Sequence, residues 1–103
     1  MPSECVNLVE LSGKLVELQG LRFTPAGIPI VRFSIEHSSV QREADGMRQV
    51  TCVLNAVAVA TEARLISALQ LGSELIIKGF MDRESLKANR LVLHASHIEF
   101  RNT

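Results

Sequence analysis

Apolar and polar residues alternate along most of this chain. From Asn7 to Leu18, "NLVELSGKLVEL" places Val9, Leu11 and Leu15 on one side of an extended segment. After Gly13-Lys14 the phase drifts, because Val16 and Leu18 take the alternate positions. A phase slip beside a glycine predicts a bulge or a sharp bend in a long strand. A turn follows in "RFTPAGIP", where Pro25 presets the backbone and Gly27 supplies a positive φ. The second strand then points Val31, Phe33 and Ile35 inward and Arg32, Ser34 and Glu36 outward.

Residues 38–49, "SSVQREADGMRQ", are polar and hold an Asp45-Gly46 turn signal between extended flanks, which predicts a protruding hairpin loop. The third strand, Val50 to Val59, is apolar on both faces and polar only at Thr51 and Asn55. Such a strand needs cover from other elements or from a second subunit. One helix is predicted from Thr61 to Leu71, with Thr61 as N-cap, Leu65 and Leu69 at i, i+4, and Gly72 as the stop. In the fourth strand, "SELIIKGFM", Leu75 and Ile77 face one way and Ile76, Lys78 and Phe80 the other. The loop "DRESLKAN" leads to a fifth strand from Arg90 to Phe100. This order predicts an all-β protein: a five-stranded Greek-key OB-fold (oligonucleotide/oligosaccharide-binding) barrel with one short helix between strands three and four. Other small β-barrels share the pattern. Without a repeat or a linker, residues 1–103 read as a single domain, with 1–6 as a flexible tail.

Composition narrows the reading. At 103 residues the chain is 47 % apolar but only 4 % aromatic, with no Trp or Tyr, so the core is aliphatic and stacking residues are scarce. Eleven basic and 11 acidic side chains give zero formal net charge, which excludes coating of nucleic acid by charge alone but allows a local basic patch. Cys5 and Cys52 are too few and too isolated for a disulfide framework and read as reduced thiols. No apolar run approaches the roughly 18 residues of a membrane span, and Met1-Pro2-Ser3-Glu4 lacks the start of a secretory signal. A cytoplasmic location without membrane association is expected.

No catalytic constellation assembles. There is no Gly-x-Ser-x-Gly elbow, phosphate-binding glycine loop or zincin helix, and neither cysteine has a Cys-x-x-Cys partner. His94 and His97, three apart, fall on opposite faces of a regular strand, so a metal site would require a bulge. His37 reads as a fixed hydrogen-bonding residue at a strand end. No catalytic residue, metal or cofactor is expected, which leaves a binding surface. Arg83, Lys87 and Arg90 give the loop before the last strand a mildly positive balance, Arg22 precedes the first turn, and Arg42 and Arg48 are offset by Glu43 and Asp45. Both phosphate contact and an ordinary solvated loop follow from these charges. Phe80 and Phe23 are the candidates for base stacking, which is worth roughly 1–3 kcal/mol per base.

Several segments carry a resemblance: "LSG" at 11–13, "PAGIP" at 25–29, "RFSIEHSSVQRE" at 32–43, "RQVTC" at 48–52, "GF" at 79–80 and "LVLHASHIE" at 91–99. In order and spacing they resemble the bacterial primosomal replication protein N (PriB) family. "FTPAGIPIVRFSI" is also similar to the single-stranded DNA-binding protein SSB, although the Tyr-Leu-x-Lys-Gly helix end and acidic tail of SSB are absent. The resemblance implies a homodimeric, non-catalytic barrel that binds single-stranded DNA and the primosomal helicase PriA, stimulates unwinding at stalled forks and, in some bacteria, engages DnaT. It implies DNA contacts at Arg22, Ser38, Arg48, Thr51, Phe80, Arg83, Lys87 and Arg90.

The match has gaps. Ser38 stands where the family often has Arg, Thr51 lies near an expected aromatic, and another expected aromatic falls at Gly46 or Met47. Weak, salt-sensitive DNA binding is therefore expected, with action mainly through the helicase. The polar arm at 38–49 is expected to extend strands two and three as a binding surface; the alternative is that it completes a dimer. Two other functional classes stay open, an SSB-like coating protein and a protein–protein adaptor without DNA binding.

Overall fold

The computed structural model describes residues 5–101. Its strands are β1 (Val9–Leu18), β2 (Arg22–Phe23), β3 (Pro29–Glu43), β4 (Gly46–Val59), β5 (Glu74–Arg83) and β6 (Leu91–Phe100), with helix α1 (Ala60–Ser67) between β4 and β5. The two-residue β2 pairs only with the start of β3. The five long strands close a barrel in the order β1-β5-β6-β4-β3, and β3 returns to β1. With β2 set aside, the helix lies between the third and fourth barrel strands, as the residue pattern predicts. Only β4 and β6 run parallel. Of the expected tail at 1–6, residues 1–4 lie outside the described residues, while Cys5 and Val6 are exposed and without regular structure.

A bend in β1 makes closure possible. Val9 to Lys14 pair with β5, and Lys14 to Leu18 pair with β3. Gly13 sits at this handover, where a Cβ would come within 3.0 Å of the Glu36 carbonyl oxygen. The register slip itself lies further on, between Leu15 and Glu17. Leu15, Val31, Phe33, Ile35, Leu75, Ile77 and Leu93 fill the interior, and Ala63 and Ile66 of α1 plug one end. Burial of such aliphatic side chains is the main stabilising term, about 1.5–3 kcal/mol for each.

Four local expectations are corrected. Ser34 is buried rather than solvent-facing, because Asn55 and Glu17 lie against its hydroxyl. The segment 38–49 extends both strands as a paired ribbon, as expected of the polar arm, but its turn is Ala44-Asp45, one residue earlier than the Asp-Gly signal. In β4 only Ala56, Val57 and Ala58 are consecutively buried, whereas Thr51, Cys52 and Val53 are exposed on the ribbon. The helix starts at Ala60 after an extended Val59 that makes no side-chain cap, so Thr61 lies inside it. It ends at Ser67, well before Gly72, and buries Ala63 and Ile66 while Leu65 is exposed. The predicted turn at 24–28 is present: Gly27 has φ +84°, and its N–H donates to the Thr24 carbonyl at 2.8 Å. Among the described residues no helix is long and apolar enough to cross a membrane.

Candidate nucleic-acid interface

Pairing between β3 and β4 runs unbroken from Ile30↔Val59 to Glu43↔Gly46. Arg32, Ser34, Glu36 and Ser38 thus share a face with their cross-strand partners Val57, Asn55, Val53 and Thr51. Near the barrel this face opens into a small cleft of about 100 Å³, walled by Glu17, Gln19, Arg32, Ser34, Asn55 and Glu84. The Ser34 hydroxyl donates to Asn55 Oδ1 at 2.9 Å, with Glu17 Oε1 at 3.3 Å. A guanidinium, two amides and two carboxylates offer donors and acceptors to the edges of unpaired bases, while the carboxylates oppose phosphate. Sequence reasoning singled out neither Gln19, Arg32 nor Asn55. The outward phase of Arg32 and Asn55 was a readable signal; the approach of Glu84 across the barrel was not.

The sequence-predicted residues are scattered around this surface. Ser38 and Thr51 face each other directly on the ribbon. Arg48 belongs to the other face, since it opposes Gln41, and its guanidinium is held by Glu43 at 2.9 Å. Arg83 ends β5 and Arg90 immediately precedes β6, and the loop between them is closed by the Glu84 N–H donating to the Arg90 carbonyl at 2.9 Å. Arg90 also pairs with Glu84 at 3.1 Å, which offsets part of the loop's positive charge. Lys87 lies exposed within the loop, and Arg22 is exposed on β2 in the other connection. Among the described residues Arg22, Arg83 and Lys87 take part in none of the ion pairs.

A bulge reorganises the outer face of β5 and β6. Lys78 pairs with His97 but Gly79 with Ala95, so Ser96 is an extra residue in β6. Gly79 permits this close crossing, because a Cβ there would collide with the His94 carbonyl oxygen. The slip puts His94 and His97 on the same face, opposite Phe80 and Lys78, instead of on opposite faces as a regular strand would. His94 stacks on Phe80, while His97 and Lys78 both approach Glu99, at 3.6 and 3.7 Å. Among the described residues no cluster of three potential metal ligands forms. His37 lies within β3 rather than at a strand end. Its Nδ1–H donates to the Ser12 carbonyl at 2.7 Å, and its Nε2 accepts from the Ser39 hydroxyl at 2.7 Å, which in turn accepts from the Gln41 amide at 3.0 Å. The base of the ribbon is thereby tied to β1.

Residues 7–97 match a family model described as another single-strand binding protein family. The replication restart protein PriB of Nitrosomonas europaea is 38 % identical over 88 residues, spanning 85 % of this chain and 82 % of its own. That of Photobacterium profundum is also 38 % identical, over 90 % and 92 % of the two chains. The chain belongs to the PriB family. A solved PriB structure from Ralstonia solanacearum superposes with a TM-score of 0.87 at 34 % identity, covering 95 % of this chain and all of the other. The closed barrel is therefore that of a PriB-family protein. Ser38 and Thr51, where the PriB resemblance implies a basic residue and a nearby aromatic, place only two short hydroxyl side chains on that ribbon.

Proposed function

We propose that the protein is a non-catalytic accessory factor of replication restart that binds single-stranded DNA across the outer face of β3 and β4. Membership of the PriB family is the observation that carries this reading, and the cleft beside Arg32 and Asn55 supports it. DNA passes between the two connections that frame this face. Arg22, Arg83, Lys87 and Arg90 meet phosphates, Phe80 meets a base, Ser38 and Thr51 line the ribbon on this face, and Arg48 reaches the DNA strand only around the ribbon's edge from its other face. With Arg48 and Arg90 partly offset by carboxylates, few phosphates are neutralised and the affinity is weak. The protein acts chiefly by joining the primosomal helicase PriA and stimulating its unwinding and ATPase activity, with DnaT as a further partner where present. It works in the cytoplasm as a homodimer folded as one domain per chain, with no metal or cofactor. The dimer is favoured by the exposed Val40, Met47 and Val53, which share the ribbon face of Ser38 and Thr51, so along the ribbon DNA meets only what the partner leaves uncovered.

Anisotropy of a fluorescent single-stranded oligonucleotide, titrated across a salt series, tests the DNA part. Contact with Z phosphates gives a log–log slope of about −0.7Z, and a shallow slope of about −2 to −3, flattened further in a Lys87→Ala, Arg90→Ala variant, is expected. No binding at low salt would leave a protein–protein adaptor; tight binding with a steep slope would restore the SSB-like coating role.

A further inference from the structure

The chain has four phenylalanines, of which Phe33 is buried and Phe23, Phe80 and Phe100 are exposed. Among the described residues only Phe80 has a partner ring: His94 lies nearly parallel to it, with centroids 4.9 Å apart and 6° between the planes. Neither ring fills the barrel, since both belong to the outer face, and Phe80 remains 42 % exposed. The pair also continues the surface described above. Arg32 opposes Val57, Val57 opposes His94, and His94 opposes Phe80, so one transverse row crosses β3, β4, β6 and β5. Val57 is buried in this row, between Arg32 and His94.

We propose that Phe80 and His94 form a stacking platform for one unpaired nucleobase, with His94 as a positioning residue that holds the Phe80 ring upright. This rests on the DNA reading above and assigns the place where a base is gripped by its flat face. The surrounding charges give the platform little phosphate attraction of its own. On the same strands Lys78 and His97 are drawn to Glu99. An exposed ring already supported on one side loses its remaining hydrated apolar surface when a base stacks on the open side, without having to be ordered first. The platform therefore contributes a component of affinity that depends on bases and hardly at all on salt.

The test compares an oligothymidylate with an abasic oligonucleotide of equal length, by anisotropy, for the wild type and for Phe80→Ala, Phe80→Leu, His94→Ala and His94→Phe. The wild type is expected to bind the base-bearing strand on the order of ten-fold more tightly than the abasic one. Phe80→Ala and Phe80→Leu should lose most of that preference while keeping the abasic affinity and the salt slope. His94→Ala should lose part of it, and His94→Phe should restore it. Phe80→Leu keeps apolar bulk on the strand, so an unchanged thermal melt separates loss of stacking from loss of fold. If the wild type binds but these variants leave the preference intact, or weaken both strands equally, the platform is overturned and the DNA reading stands. If the wild type binds neither strand at low salt, both are overturned.

Discussion

At Gly79 the missing Cβ governs what appears on the far side of the sheet. It lets the His94 backbone press in, accompanies the extra residue at Ser96, and so turns His94 toward Phe80. Gly79→Ala is expected to lower stability by about 2–3 kcal/mol, read from the urea midpoint, because the obstruction is backbone rather than the end of a flexible side chain. The same substitution should part the ring pair. None of this was legible in "GFMDRESLKANRLVLHASHIE", where three-residue spacing alone sends His94 and His97 apart. A bulge depends on what the neighbouring strand brings opposite, and that is not written in the strand's own sequence. His37 was half legible: its fixed hydrogen-bonding role could be anticipated, but its partner Ser12 lies 25 residues away in the chain.

Among the elements, the β3–β4 ribbon departs most from a compact barrel. Two residues join its strands, and Ala44 takes φ 54°, the left-handed region that a side chain with a Cβ disfavours by about 1–2 kcal/mol. Ala44→Gly should raise stability by about 0.5–1 kcal/mol in chemical denaturation, the relief of strain exceeding the extra chain entropy of glycine. The alternation in "PIVRFSIEH" was enough to place Val31, Phe33 and Ile35 in the core. The extension of both strands into the arm was anticipated as well, but its register was not, since a polar ribbon carries no apolar period. The helix was found but its ends were not. Thr61 and Gly72 are good end signals, yet the chain enters α1 straight from β4 through Ala60 at φ 57° and leaves it to reach β5. Tertiary placement overrode the local cues.

For the whole molecule, the order of strands was readable because each alternates strongly and turn residues separate them, whereas assembly was not. Val53 and Met47 are 59 % and 63 % exposed, on the ribbon face that the proposed homodimer would cover. Light scattering should give twice the 11.3 kDa of one chain, and Val53→Lys should shift the population to monomer with the fold retained. A monomeric wild type would remove that proposal. Closure has a consequence in time as well. The parallel contact between β4 and β6 spans only three register pairs, Ala56↔Leu93 to Ala58↔Ala95, and joins segments far apart along the chain. Closing a loop of that span costs chain entropy before the contact is gained. During synthesis the hairpin of β3 and β4 is complete before β6 exists, so the emerging chain carries an unpaired β4 edge until its last strand arrives to seal it.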